Sequence, residues 1–208
     1  MACVCSPSLH FTGPFPSSQK TTKTSRLNPH CSQSLSTVRN EFPTMEEIVS
    51  SCKQQNLQMR LQTLGPFFRV TATNIATGNE VGRAEGVIRL WVDGTILHLD
   101  SIRLKKETLG MKRSIFGLGL FVGAVAIRHG YDHGCRKAEL LAVNDSDVFH
   151  SKLVRFYSRI GFKSVYDVTG SSMGDVTHML VWGGRGTRMD ADIEELMIKW
   201  GAKFKNST

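Results

Sequence analysis

The first forty residues of this 208-residue chain contain neither aspartate nor glutamate. They carry four basic residues and thirteen serines and threonines, a composition that cannot bury enough apolar surface to fold and that is typical of transit peptides. They also lack the apolar stretch of about 7 to 15 residues that a secretory signal needs. We therefore expect residues 1–42 to be a disordered transit peptide, with a merely disordered tail as the alternative. The excess of Ser and Thr over Arg favours the chloroplast stroma over the mitochondrion.

Cysteine is scarce in the rest of the chain, where only Cys52 and Cys135 occur. A disulfide framework or a zinc site needs closely spaced Cys or His residues, so we predict neither, and no metal. The chain has 26 Lys and Arg residues, and 22 remain when the four in the first forty residues are left out. These 22 basic residues stand against 18 Asp and Glu. Because this excess is small and no RNA-binding motif with stacking aromatics is present, we expect no nucleic-acid partner.

No apolar run is long enough to span a bilayer, so we expect no transmembrane segment. The longest run, Ile115 to Ile127, has thirteen residues without a polar side chain, whereas a span takes about 20. A helix that is apolar on every side is usually buried against a sheet. We predict such a helix here, with Ser114 as its cap.

A capping box starts the folded part of the chain. Thr44 stands three residues before Glu47, so each side chain can bind the backbone amide of the other. The pattern predicts a helix from Thr44 to about Leu61, within an N-terminal helical segment of residues 43–65 that Gly65-Pro66 ends.

Three antiparallel strands are predicted next. Phe68, Val70 and Ala72 alternate with polar neighbours, and a second extended run goes from Glu80 to Val92. Asp93-Gly94 is a two-residue hairpin signal, and it leads into a third strand from Thr95 to Leu104.

The second half of the chain alternates helices with strands. The helix that follows Ser114 separates the third strand from a fourth, which predicts a crossover and a parallel pair. Gly161 marks the end of a second amphipathic helix. The predicted elements are the strand Ala138–Val143, the helix Phe149–Ile160, a closing hairpin of Lys163–Val168 with Thr177–Trp182, and a C-terminal helix Asp190–Lys203.

Two motifs in this second half resemble the GNAT superfamily of acyl-CoA N-acyltransferases. The stretch Leu153-Val154-Arg155-Phe156-Tyr157-Ser158-Arg159-Ile160-Gly161-Phe162 is similar to the family's helix that ends in Tyr, three residues and Gly-Phe. Gly117-Leu118-Gly119 resembles the tail of its pyrophosphate-binding turn, and Gly134 follows at the family's usual spacing. Leu97 to Ile102 is similar to its central strand. The resemblance covers about residues 67–182 and implies a GNAT-like domain at 66–208, with a mixed α/β sheet that splits around a thioester.

The resemblance implies transfer of an acetyl group from acetyl-CoA to an amine acceptor. A helix start binds phosphate because its first amides point outward and its dipole is positive there. Backbone amides near Ile102 and Leu104 would polarise the thioester carbonyl. The alternative to phosphate binding is that Gly117 and Gly119 allow the helix to pack tightly on the sheet. The other implied cofactor-binding residues are Arg113, Gly117, Leu118, Gly119, Leu120, Asn144 and His150.

Two residues are candidates for proton transfer. The resemblance implies that Tyr157 protonates the leaving thiolate. The alternative is that Tyr157 is an amphipathic core residue whose hydroxyl group contacts solvent. Asp100, on the presumed central strand, could accept the amine proton through water; the alternative is an ion pair with a neighbour such as Arg103. Glu139 and His178 are weaker candidates for the base.

The sequence departs from the family's pattern both in the turn that would bind acetyl-CoA and in the segment that would bind the amine acceptor. Ser114 stands where the family's turn usually has Arg or Gln, and the longer loop before it carries Lys105, Lys106, Lys112 and Arg113. One predicted helix replaces the two that usually select the amine, so the acceptor is not identified. These departures leave a second hypothesis, a non-catalytic plastid assembly or regulatory factor with the same fold. Binding of the basic loop to RNA or an anionic membrane surface is a third, weaker one.

Overall fold

The computed structural model describes residues 42–92, 94–105, 115–170 and 182–205. The predicted transit peptide lies outside these ranges, and so does the basic loop with Arg113 and Ser114. Asp93 of the predicted hairpin turn and the segment 171–181, which contains His178, also lie outside them.

Eleven elements are present in the described residues. In chain order they are α1 (Met45–Gln54), β1 (Leu57–Leu64), β2 (Phe67–Asn74), β3 (Glu80–Trp91), β4 (Gly94–Leu104), α2 (Ile115–Asp132), β5 (Cys135–Val143), α3 (Asp147–Ile160), β6 (Lys163–Val168), β7 (Gly186–Asp192) and α4 (Ile193–Lys205).

The strands form one seven-stranded mixed sheet in the order β1-β2-β3-β4-β5-β7-β6. Only β4 and β5 are paired in parallel, and all other neighbours are antiparallel. A parallel pair needs a crossover, which α2 supplies. The predicted mixed α/β sheet, its consecutive antiparallel strands and its parallel central pair are confirmed.

The first helix starts as predicted but is shorter. Thr44 caps it, with the Glu47 amide donating to Thr44 Oγ1 at 3.1 Å and the Thr44 amide donating to Glu47 Oε2 at 2.6 Å. The helix ends at Gln54, and Asn56 turns the chain with a φ of 59°. The predicted continuation to Leu61 is wrong because residues 57–64 form β1.

The strand β1 owes its conformation to its partner. Its apolar residues Leu57, Met59 and Leu61 alternate with polar ones and face the core, and the strand pairs along its whole length with β2. Cross-strand hydrogen bonds and burial of this face outweigh the helix propensity of its Leu, Gln, Met and Arg residues.

The closing hairpin also differs from its prediction. Among the described residues, the antiparallel partner of β6 is β7, Gly186–Asp192, and α4 begins at Ile193 rather than Asp190. The predicted partner strand Thr177–Trp182 lies, apart from Trp182, outside the described residues. The charged residues Arg188 and Asp190 explain why this strand was not predicted from the sequence. Met189 and Ala191 alternate with them and are buried, so the strand has one apolar face.

All four helices form one layer on one face of the sheet. The central helix α2 contacts α1, α4 and the strands β1 to β5, which explains why it is apolar on every side. Gly130 lets it approach β4, because a Cβ there would lie 3.0 Å from Leu97 Cδ2. Within the described ranges, no helix is long and apolar enough to cross a membrane.

The strand β4 carries a bulge on the approach to the candidate site. Glu85 pairs with Ser101 and Gly86 with Leu99, so Asp100 has no partner on β3. Gly86 is required beside the bulge because a Cβ there would lie 2.2 Å from the carbonyl oxygen of His98 and 2.7 Å from the Phe68 ring.

Replacing this glycine tests the bulge. We expect Gly86→Ala to lower the free energy of unfolding by about 3 kcal/mol or more, since backbone must move to admit the methyl group. Gly123→Ala is the matched control: it lies within α2 with nothing within 4 Å of the added Cβ, and we expect a gain of about 0.5–1 kcal/mol from helix propensity. Urea denaturation measures both; equal stability of the two variants would contradict the described contact.

Candidate active site

The central feature of the site is the point where β4 and β5 separate. They pair from Thr95 opposite Cys135 to Leu99 opposite Leu140, and beyond that β4 continues to Leu104 with no partner on β5. Because parallel strands end at the same edge, their carboxyl ends open a cleft there, and α2 begins beside it. Ile102 and Leu104, the predicted carbonyl-polarising positions, lie on this unpaired stretch of β4.

The start of α2 lies against Leu104. Gly117 faces open space, while a Cβ at Gly119 would lie 3.4 Å from Leu104 Cδ1 and 3.5 Å from the Phe156 ring. The amides of residues 115–117 have no intrahelical acceptor, whereas Gly119 and Leu120 lie within the hydrogen-bonded part of the helix. Gly117 is therefore placed for contact with an anion, and Gly119 allows close packing. Leu118 is a core residue.

Asp100 projects from the bulge with 51% of its side chain exposed. Its Oδ1 lies 3.0 Å from His98 Nε2, so the partner is a histidine two residues earlier rather than the expected Arg103. The carboxylate lines a cavity of about 550 Å³ whose wall includes Phe67, Glu85 and Gly86. This cavity lies on the sheet face that does not carry the helix layer.

A buried charge network continues behind Asp100. His98 is 4% exposed, and its Nδ1 lies 2.9 Å from Oε1 of Glu139, which is fully buried on β5. Two arginines also bind this carboxylate: Arg89 of β3, at Oε1, and Arg188 of β7, which donates from Nη2 to Oε2 at 3.0 Å. The network thus ties together β3, β4, β5 and β7.

The hydrogen bonds of His98 determine its charge. Both ring nitrogens face carboxylates, and an ionised carboxylate only accepts, so both nitrogens donate when the ring is an imidazolium. Burial alone would lower the pKa of His98, but its contacts with Asp100 and Glu139 outweigh that effect and raise the pKa. Burial would likewise raise the pKa of Glu139, but the contacts with His98, Arg89 and Arg188 lower it.

These partners give Glu139 the role of a counter-ion. Both of its oxygens are already bound by cationic groups, so the carboxylate is not available as a proton acceptor. Trp182 covers the other side of His98, with ring centroids 4.5 Å apart. Asp100 is the most exposed group of this network, while Arg89, Glu139 and Arg188 line a separate cavity of about 670 Å³.

Tyr157 lies in the core layer between α3 and the sheet. Its ring is in edge contact with Phe162, and burial raises the pKa of the phenol to about 12. The described residues offer its hydroxyl no hydrogen-bond partner. The group is therefore a protonated donor over the whole physiological range.

Asn144 and His150 lie together at another place. Both line a cavity of about 300 Å³ with Asp167 and Arg185, and neither lines the cavity of Asp100. The amide of Asn144 donates to the Arg185 carbonyl at 2.8 Å. His150 Nε2 lies 3.0 Å from Thr187 Oγ1, which donates to Asp167, so His150 links α3 to β7.

His98, Arg89 and Arg188 are site residues that the sequence-based prediction missed. One signal was available for His98: residues two apart on a strand point to the same face, so His98 and Asp100 had to be neighbours. A second signal was Glu139, a carboxylate between the apolar residues Ala138 and Leu140, which a buried strand tolerates only with cationic partners. Nothing in the sequence identified which cations these were.

Solved structures of low sequence identity are similar to this chain over part of its length. A nourseothricin acetyltransferase has 15% identity and a TM-score of 0.44, with 66% of this chain and 85% of that chain covered. A GNAT-family acetyltransferase from Streptococcus pneumoniae has 16% identity and a TM-score of 0.43, with 62% and 68% covered. AtaTR bound with AcCoA has 9% identity and a TM-score of 0.42, with 70% and 73% covered. No protein-family model matches the sequence, and no curated protein matches it significantly.

The fold is the GNAT-like mixed sheet that the sequence resemblance implied. Its strand and helix order, the crossover by α2 and the split beyond Leu99 all agree with that expectation.

The charge state of His98 gives the stability of the protein a pH dependence. A raised folded-state pKa contributes stability that is present below the unfolded value of about 6.5 and is lost as the pH rises through the folded value. We expect His98→Gln to remove this decline, measured as the free energy of unfolding in urea between about pH 6 and pH 9. His133→Gln, an exposed histidine outside the network, should keep it. The same decline in His98→Gln would show that His98 does not hold the proton.

Proposed function

We propose that this chain is an N-acetyltransferase that transfers an acetyl group from acetyl-CoA to an amine of a protein or small molecule. The observation that carries the proposal is the separation of β4 from β5 beyond Leu99, beside the start of α2. A thioester in this opening would meet unpaired backbone groups of β4, and a diphosphate would meet the first amides of α2.

The reaction requires two proton movements. The amine nitrogen attacks the acetyl carbon, the bond from that carbon to sulfur breaks, and the electron pair leaves with the thiolate. The amine must lose a proton before or during attack, and the thiolate takes one up. The backbone of β4 around Ile102 and Leu104 would stabilise the negative charge that develops on the carbonyl oxygen.

Asp100 is the residue that we assign to the acceptor. Its half-exposed carboxylate would attract an ammonium and accept the proton, directly or through water. His98 acts as a positioning residue, because the imidazolium held by Glu139 fixes the orientation of Asp100. The cavity around Asp100 is open on the sheet face without the helix layer, so the amine would approach from that side.

Tyr157 is the residue that we assign to the leaving group. A phenol with a pKa of about 12 stays protonated, and its hydroxyl is without another partner in the described residues. A thiolate whose conjugate acid has a pKa of about 8.5 is a weaker base than this phenolate. Tyr157 would therefore donate a strong hydrogen bond to the thiolate, with the final proton coming from solvent.

We place this activity in the chloroplast stroma, on the composition of the first forty residues.

A second candidate function is a non-catalytic assembly or regulatory factor in the plastid. The observation that favours it is the short connection between β1 and β2, a turn at residues 65–66, where a helical acceptor-binding segment would otherwise lie. The cavity beside Asp100 then has no helical cover within the described ranges. Such a factor would bind a partner without consuming acetyl-CoA.

Removing the Asp100 charge separates the two candidates. We expect the full chain to release free thiol from acetyl-CoA with a mixture of amines, and Asp100→Asn to lower kcat/KM by about 10²- to 10⁴-fold without weakening acetyl-CoA binding. Asp132→Asn, an exposed aspartate of an α2 ion pair, should keep the wild-type rate. Undiminished turnover in Asp100→Asn would exclude Asp100 as the base, and a wild-type chain that neither binds nor turns over acetyl-CoA would favour the non-catalytic factor.

Tyr157→Phe tests the leaving-group role. We expect kcat to fall about tenfold, the value of one charge-assisted hydrogen bond, while the Kd for acetyl-CoA stays unchanged. Steady-state kinetics and isothermal titration measure the two quantities. Because the ring keeps its volume and its contacts with Phe162, a loss of stability is not expected, and an unchanged kcat would remove Tyr157 from the mechanism.

A further inference from the structure

Three cations on α3 have no carboxylate partner. Lys152, Arg155 and Arg159 are exposed, and with the ring of Phe156 they line a small cavity of about 170 Å³. No hydrogen bond or ion pair within the described residues engages any of them. Many other basic residues of the protein are paired with carboxylates: Arg69, Arg83, Arg89, Arg128, Lys137, Lys163 and Arg188.

The cluster lies next to the start of α2. The ring of Phe156 comes within 3.5 Å of the position that a Cβ of Gly119 would occupy, and Gly117 one half-turn earlier faces open space. Lys152 and Arg159 are one turn before and after Phe156 on α3, so they share its side of the helix. The three cations therefore border the place that the proposed function assigns to a diphosphate.

Helix stability does not account for this cluster. A cation in the last turn is favoured by the helix dipole, which explains Arg159 but not Lys152 or Arg155. Like charges three and four residues apart repel each other, so the spacing of the three is unfavourable for an isolated helix. A bound anion would relieve that repulsion.

We propose that Lys152, Arg155 and Arg159 bind the 3′-phosphate of coenzyme A, an inference that rests on the proposed function. One ribose of coenzyme A carries the diphosphate on its 5′ carbon and a phosphate on its 3′ carbon. A ligand with its diphosphate at the start of α2 has the second phosphate within reach of α3. Guanidinium groups suit it because their donors match the spacing of phosphate oxygens, and Phe156 offers an apolar wall for the ribose and base.

The consequence is selectivity for the phosphorylated donor. The protein should bind acetyl-CoA more tightly than 3′-dephospho-acetyl-CoA, which has the same thioester, pantetheine arm and diphosphate. The difference should depend on the cluster and not on the basic residues of α1 and β1.

Isothermal titration of the full chain with both donors tests the inference. We expect wild type to prefer acetyl-CoA by about five- to tenfold, and Lys152→Gln/Arg155→Gln to lose that preference by weakening acetyl-CoA alone. Arg159 is kept so that the last turn retains its favourable charge. The matched control, Lys53→Gln/Arg60→Gln, removes the same charge from α1 and β1 and should keep the preference.

Three results would overturn the inference. The first is an equal affinity of the wild type for the two donors. The second is an equal loss of affinity for both donors in Lys152→Gln/Arg155→Gln, and the third is a loss of the preference in the control variant as well. The second and third results would indicate a general attraction of anions. Binding of neither donor by wild type would instead contradict the proposed function itself. Equal thermal midpoints of the two double variants exclude a folding defect.

Discussion

A fully buried carboxylate, Glu139, is the constraint around which the central sheet is arranged. An unpaired charge in that position would be prohibitively costly, so its neighbours must supply cations. Arg89 comes from β3, His98 from β4 and Arg188 from β7, the strands on both sides of β5. The pair of His98 and Glu139 lies one step before the last β4–β5 pair, Leu99 with Leu140. The network therefore holds the strands together at the base of the cleft that opens beyond them.

The same network connects the fold to the candidate chemistry. His98 reaches forward to Asp100 as well as back to Glu139, and the β4 bulge places Asp100 at the surface. A buried structural charge thus orients a half-exposed carboxylate. The helix layer covers one face of the sheet, and Asp100 opens on the other, so a donor that enters beside α2 and an acceptor that enters over β4 would approach from different sides.

Much of this architecture could be read from local patterns. The alternation of Phe68, Val70 and Ala72 predicts a strand with one buried face, and the apolar run of α2 predicts a buried helix. Gly161 predicts a helix end. Each prediction succeeded because it depends on residues that are close in sequence. Predictions failed where a distant partner decided the outcome. Residues 57–64 became a strand because β2 lies beside them, and residues 186–192 became one because their polar side chains neutralise a carboxylate about 50 positions away in sequence.

The sequence by itself determined the order of the elements from β2 to β6, the parallel central pair, the helix end at Gly161 and the placement of Asp100 on the central strand. The tertiary structure alone decided that Asp100 pairs with His98 rather than Arg103, that Gly119 serves close packing while Gly117 stays open, and that Asn144 and His150 share a separate cavity. The physical reason is that periodicity records which side of an element is buried. Charge partners and cavities depend on which elements meet, and those contacts are set by long-range packing that no local pattern encodes.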